Sequence, residues 1–342
     1  MEQTDDGARS VDLATGYLGL RLRTPLVASP SPLTGTLAGI SELAAAGVGA
    51  IVLPSILEEQ VWTDARAQIE RRADSVGRLA RVSANAPAEG MRYSDPADTL
   101  SLLRAARETV DVPLIASLNG GAGGGWPAYA HALQQAGADA IELNVFAVPA
   151  DADASARAIE DLHLELLSTV KSAVTIPVAV KLAPWLTAPG ELAERLVAAG
   201  ADGLVLFNRF MQPDIDVERV AVVPRPELSA AWESRLPMAW IALLRGRVQA
   251  SLAATTGVAG PDEVVKYLLA GADVVMTASA VLRHGPQYAC TLLDGLEAWL
   301  RVHGYASAVE ARGLLRGALG SDAVAKRAGY VRFRAAGDQV FT

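Results

Sequence analysis

The chain has 342 residues, 51% hydrophobic and 20% charged, enough to bury a substantial core in one large domain or two ordinary ones. Its formal net charge of −8 argues against nucleic acid as the main partner. The single cysteine, Cys290, excludes an intramolecular disulfide, a zinc site built on several cysteines and a self-contained iron–sulfur cluster. No apolar run reaches the ~18 residues of a membrane span, and the start (MEQTDDGARS) is polar, so no membrane partner and a reducing, cytoplasmic setting are expected. Of the 30 basic residues only four are lysines (Lys171, Lys181, Lys266 and Lys326), which makes the placement of each informative.

A phrase recurs along the chain: AGVGAIVLP at 46–54, AGADAIELNV at 136–145, AGADGLVLFN at 199–208 and AGADVVMTAS at 270–279. Each reads as a helix end, a glycine stop, a turn and a strand buried on both faces. TPLVASP, VPLIASLN, IPVAVKLAP and SLAATTGV have the same strand character, giving eight strands that begin near 24, 50, 112, 140, 176, 203, 251 and 273. Helix-period segments fill most of the gaps. Alternating strands and helices imply parallel strands with right-handed crossovers, and eight units close into a (β/α)8 TIM barrel of roughly 250 residues. An open doubly wound sheet is the alternative. The expected organisation is one domain over 1–342, with the barrel at about 17–300 and a helical tail at about 305–342. Long loops after strands two (55–96) and six (209–235) fall at the C-terminal face, where barrel enzymes carry their sites.

Polar residues end six of these apolar strands: Ser117 and Asn119; Glu142 and Asn144; Lys181; Asn208 and Arg209; Thr255, Thr256 and Gly257; Thr277, Ala278 and Ser279. Lys181, between Val180 and Leu182, is the sharpest, because an unpaired buried ammonium is costly. It reads as an internal ion pair with Glu142, which shares the inward parity of Asn144, or as a cation facing a ligand that gains negative charge; the two can coexist. The small residues of strands seven and eight suit an approach of backbone N–H groups to a phosphate. Arg209 is a candidate for an anionic substrate group or a surface ion pair.

Weaker features are read as structural. The GGAGGG loop at 120–125 lacks a clean dinucleotide fingerprint. His131, His163 and His303 lie on helical segments, and His284 is a marginal site candidate after strand eight. Glu58 and Glu59 are expected to be solvated, Ser55 and Ser117 lack a His–Asp pair, and no residue cluster suggests a metal.

In these motifs the sequence resembles the dihydroorotate dehydrogenase family of FMN-dependent barrels, from about Tyr17 to Leu300, and in particular its dihydroorotate dehydrogenase-like subgroup. Ala28-Ser29-Pro30-Ser31 is similar to the first strand end that contacts flavin. Glu142-Leu143-Asn144 resembles the family's E-L-N, and Val180-Lys181 its lysine at flavin N1 and O2. Asn208 matches the asparagine after strand six; Thr256-Gly257 and Ala278-Ser279 stand in for its phosphate loops. The resemblance thus implies FMN contacts at Ser29, Pro30, Ser117, Asn144, Lys181, Phe207, Ser229, Thr256, Gly257, Ala278 and Ser279. Lys181, Asn144 and Asn208 are implied as catalytic residues, and Arg209 and Asn119 as substrate contacts. Two departures stand out: Ala147 occupies the position of the family's Cys or Ser base, and Leu53-Pro54-Ser55 replaces its T-K-S. Alanine takes no proton.

The expected function is therefore hydride transfer from a small reduced substrate to flavin N5, with Lys181 stabilising the reduced ring and dihydroorotate disfavoured as the substrate. The alternatives are a non-catalytic FMN-binding subunit or pseudoenzyme, and a barrel lyase using Lys181 as a Schiff base. The family implies a homodimer and a separate electron acceptor, either fumarate or NAD through an iron–sulfur subunit. A membrane quinone is not expected, since only ten residues precede Val11.

Overall fold

The computed structural model describes residues 11–57, 96–120, 125–145, 155–209, 213–224 and 227–317. A hairpin of β1 (Thr15–Tyr17) and β2 (Leu20–Leu22) leads into β3 (Leu26–Ala28), followed by β4 (Ala50–Leu57), β5 (Leu114–Asn119), β6 (Ala140–Asn144), β7 (Val178–Leu182) and β8 (Gly203–Leu206). A ribbon of β9 (Pro213–Asp216) and β10 (Ala221–Pro224) precedes β11 (Ser251–Ala254) and β12 (Val274–Thr277). Strands β3 to β8 with β11 and β12 form a closed, all-parallel barrel in chain order, as the eight expected strands require.

The helices between them are α1 (Leu37–Ala45), α2 (Pro96–Thr109), α3 (Trp126–Gln135), α4 (Ala156–Ala173), α5 (Pro189–Ala198), α6 (Arg235–Leu244) and α7 (Pro261–Ala270). They are followed by α8 (Ser279–His284), α9 (Tyr288–Val302) and α10 (Ala308–Ala311). The architecture is the (β/α)8 barrel read from the sequence.

Three strands start immediately after a proline, at Leu26, Leu114 and Val178. Proline has no N–H for the ladder, yet Pro25, Pro113 and Pro177 each lend a carbonyl to the neighbouring strand, at 2.8, 3.0 and 2.9 Å. This explains why the apolar runs begin two residues ahead of those strands.

The repeated phrase has a structural job at the barrel base. Its glycine stops the preceding helix at positive φ, from 93° at Gly47 to 122° at Gly271. Its aspartate then clips the previous strand. Asp139, Asp202 and Asp273 accept the backbone N–H of Leu114, Val178 and Leu252 at 2.8, 2.7 and 2.7 Å. Each carboxylate also holds a cation from the end of the helix before that strand: Arg107 at 2.8 Å, Lys171 at 2.8 Å and Arg245 at 2.6 Å. In the first copy Gly49 replaces the aspartate because a Cβ there would lie 2.0 Å from the Thr24 carbonyl oxygen.

The β1–β2 hairpin plugs the same end. Tyr17, Leu18 and Leu22 pack beneath Val27, Val52, Ile115 and Val205, and Leu18 comes so close that a Cβ on Gly203 would stand 2.5 Å from its Cδ2. The tail contributes here too. Arg312 reaches Asp273 at 2.6 Å, and Gly313 and Leu315 donate to the carbonyls of Leu268 and Leu269. Among the described residues the barrel is thus plugged at its base and open at the C-terminal mouth.

Candidate active site

Side-chain parity carries polar groups to that mouth. Ile115, Ala140, Ala179, Val205 and Ala253 form an apolar interior layer. Two residues further along the same strands, still pointing inward, come Ser117, Glu142 and Lys181, while Phe207 and Thr255 line the cavity just past the ends of β8 and β11. Register pairs Asn144 with Lys181 and sets Glu142 one layer deeper, opposite Ala179.

Lys181 Nζ turns down to Glu142 Oε1 at 3.2 Å, with the two side chains 9% and 1% exposed. The internal ion pair read from the sequence is present, and Lys181 also lines the mouth cavity, so both of its roles are compatible. Glu142 Oε2 is buried without a hydrogen-bond partner among the described residues. Below the pair, burial, reinforced by the Glu142 and Asp273 carboxylates, holds the Tyr17 phenol well above its usual value.

The mouth cavity holds about 590 Å³ of empty space, counting the solvent-open part at its rim. Of the expected flavin contacts, Ser29, Pro30, Lys181, Phe207, Ser229, Thr256, Gly257, Ala278 and Ser279 line it, together with Asn208 and Arg209. Three expected residues stand back from its wall. Asn144 lies behind Asn208 and accepts its Nδ2–H at 2.8 Å, so it fixes that amide. Ser117 is buried and hydrogen-bonds Ser55 at 2.7 Å. Asn119 sits beside Asn144 in the strand register, outside the lining.

Three loops are tied together at the strand-seven and strand-eight side. The Ser229 hydroxyl accepts from the Gly257 N–H at 3.2 Å and bonds the Ser279 hydroxyl at 3.0 Å, while the Ser229 N–H donates to that same Ser279 oxygen at 3.0 Å. Thr256 and Gly257 have positive φ, 77° and 74°. A Cβ on Gly257 would fall 2.4 Å from the Ser234 nitrogen, so only glycine lets the strand-six loop close over this turn. Tyr267 clamps the turn from below, donating to the Thr255 and Thr256 carbonyls at 3.1 and 2.7 Å.

Arg209 Nε donates to Glu233 Oε2 at 2.9 Å and its Nη1 to the Glu227 carbonyl, so the ion pair read from the sequence is present while the side chain lines the cavity. His284 packs against Tyr288, with ring centroids 4.5 Å apart, and does not line the cavity. Ala147, Glu58, Glu59 and residues 121–124 lie outside the described residues. Thr277, read from the sequence as a polar strand-end residue but not among the implied flavin contacts, also lines the cavity. Its Oγ1 and Ser29 Oγ are both buried without partners among the described residues, and both belong to cavity-lining residues.

Fold and site together define a (β/α)8 barrel with a cavity at the C-terminal mouth, lined by a buried lysine and by small residues of the last two strands. The chain belongs to the dihydroorotate dehydrogenase family, whose model matches residues 13–300. Members of that family are FMN flavoproteins with oxidoreductase activity. The chain is 30% identical over 213 residues to the dihydroorotate dehydrogenase B (NAD(+)) catalytic subunit of Methanothermobacter thermautotrophicus, covering 60% of this chain and 69% of that one. It is 27% identical to the dihydroorotate dehydrogenase A (fumarate) of Lactobacillus delbrueckii subsp. bulgaricus, over 77% of this chain and 85% of that one. It is also 27% identical to the B-type catalytic subunit of Methanosarcina mazei, over 92% and 98%. In other relatives the match is shorter, spanning 66% and 63% of their own length. No helix among the described residues is long and apolar enough to cross a membrane.

Proposed function

We propose that this protein is an FMN-dependent oxidoreductase that removes hydride from a small reduced substrate at the barrel mouth. The observation that carries the reading is the buried Lys181, held by Glu142 and facing the cavity. FMN, when bound, supplies a hydride acceptor at N5. Lys181 would provide a fixed positive charge where flavin reduction places negative charge, preorganised by Glu142 in a site of low dielectric. The unpartnered hydroxyls of Ser29 and Thr277 fit a polar cofactor that offers hydrogen bonds. Gly257, Ser229 and Ser279 would hold the phosphate end, and Asn144 would orient Asn208 toward flavin and substrate.

With alanine at 147, where the family keeps its base, the proposed substrate is not dihydroorotate. The same alanine supports a second reading, a flavin-binding protein without turnover.

The proposed setting is the cytoplasm and the proposed assembly a homodimer. A two-stranded ribbon is marginal alone, and β9–β10 exposes Ile215, Val217, Val220 and Val222 by 65–88%, an uncharged set that a second copy can cover with its own. Light scattering is expected to give a dimer, reduced to a monomer by Ile215→Asp with Val222→Asp.

The visible spectrum of the purified protein, with its released chromophore identified by mass, tests the central proposal. FMN is expected, unbleached by dihydroorotate without air. A colourless protein that takes up no added FMN would refute the reading.

A further inference from the structure

A second cavity opens beside the first and is larger, about 880 Å³ of empty space up to its rim against about 590 Å³. Phe207, Asn208, Arg209 and Thr256 line both, so one wall serves two chambers. Beyond that wall the lining changes character. Trp185, Trp232, Leu236 and Pro237 make it largely apolar and aromatic. Trp232 is 69% exposed and Leu236 49%, an unusual expense of apolar surface unless something covers it. The chain holds only six tryptophans, and two of them meet at this hollow.

The charges are equally specific. Arg209 is neutralised by Glu233 at 2.9 Å. The guanidinium of Arg235, also in the lining, has no ion pair or hydrogen bond among the described residues. Among the described residues the uncompensated charge of the cavity is therefore positive, on a chain whose formal net charge is −8.

We propose that this cavity is a subsite for a planar aromatic group bearing an anionic substituent, its ring against Trp232 and its acid toward Arg235. Flat π-faces are matched by another flat ring, and a guanidinium by a carboxylate. The inference rests on the flavin reading of the first cavity: through the shared wall, a substrate with its reacting end near Asn208 places its remainder here. It names the substrate class as aromatic acids, larger and more apolar than a pyrimidine.

The test is calorimetric titration of the full-length protein with 2-naphthoate, with 2-naphthalenemethanol and cyclohexanecarboxylate as comparison ligands. Saturable one-to-one binding of naphthoate is expected, weaker by about tenfold in Trp232→Ala and restored by Trp232→Phe. Arg235→Gln is expected to weaken naphthoate severalfold and leave the alcohol unchanged, and naphthoate should perturb the visible band of bound flavin. No saturable heat overturns the subsite, as does binding indifferent to both substitutions, or binding that leaves the flavin band unmoved. Because heat reports binding without flavin, a colourless protein that still binds naphthoate through Trp232 and Arg235 refutes the flavin reading and, with it, the assignment to substrate, but keeps the aromatic-acid site.

Discussion

Replacing Lys181 with methionine separates the structural role of that residue from its proposed role toward flavin. The substitution leaves the Glu142 carboxylate, 1% exposed and with Oε2 already unpartnered, without its only charge partner in the described structure. Breaking a buried pair from one side costs about 3–5 kcal/mol, because the remaining charge keeps its desolvation penalty. Urea unfolding should register that loss in full for Lys181→Met. The double variant Lys181→Met with Glu142→Gln removes both charges and is expected to recover most of the stability, since neutral replacements of a buried pair are often close to neutral. FMN retention should not recover with it. Loss of a preorganised charge at a site of developing negative charge slows reaction by about 10²–10³-fold, so photoreduction or chemical reduction of any flavin that remains bound should be slow in both variants. A double variant that regains stability together with full FMN binding and normal reduction would show that Lys181 serves the fold alone.

Three further outcomes follow from the structure. Gly257→Ala sets a Cβ 2.4 Å from the Ser234 nitrogen at a φ of 74°, so it should open the strand-six loop and release FMN, read as free-flavin fluorescence, with little change in far-ultraviolet dichroism. Asp273→Ala removes the shared partner of Arg245 and Arg312, both at 2.6 Å, and the acceptor of the Leu252 N–H; it should cost about 3–5 kcal/mol in urea while leaving flavin content per folded protein unchanged. Burial lowers the pKa of His163, which donates Nδ1–H to the Ile159 carbonyl at 2.7 Å. The unfolded chain then takes up a proton below about pH 6.5 that the folded chain refuses, so stability falls as pH drops through that value. His163→Gln should flatten the slope between pH 7 and 5; an unchanged slope would acquit His163.

Much of the site was legible because strand chemistry is local. A strand buried on both faces is a continuous apolar run, so a lysine, a glutamate and an asparagine inside such runs announce themselves. Period-two parity then puts Glu142, Asn144 and Lys181 on the inner face before any coordinates exist. Flavin-phosphate candidates at Thr256, Gly257, Ala278 and Ser279 were readable for the same reason: small residues closing apolar strands. The aspartates of the repeated phrase were visible as a repeat, yet their task of clipping the previous strand and pairing a helix-end cation was not, because the cation lies 28 to 32 residues away in the chain.

The sequence by itself determined the eight strands, their parallel order and the inward set of polar residues, since these depend on propensity, punctuation and period. Only the tertiary structure decided which of those residues meet. Closing the barrel brings Glu233 onto Arg209 and turns a free-looking cation into a neutral clasp. It slides Asn144 behind Asn208 and lays Trp185 and Trp232 along one hollow. Those outcomes depend on how the C-terminal loops fold over the mouth. Loop packing is fixed by long-range contacts, and no local pattern of residues encodes them.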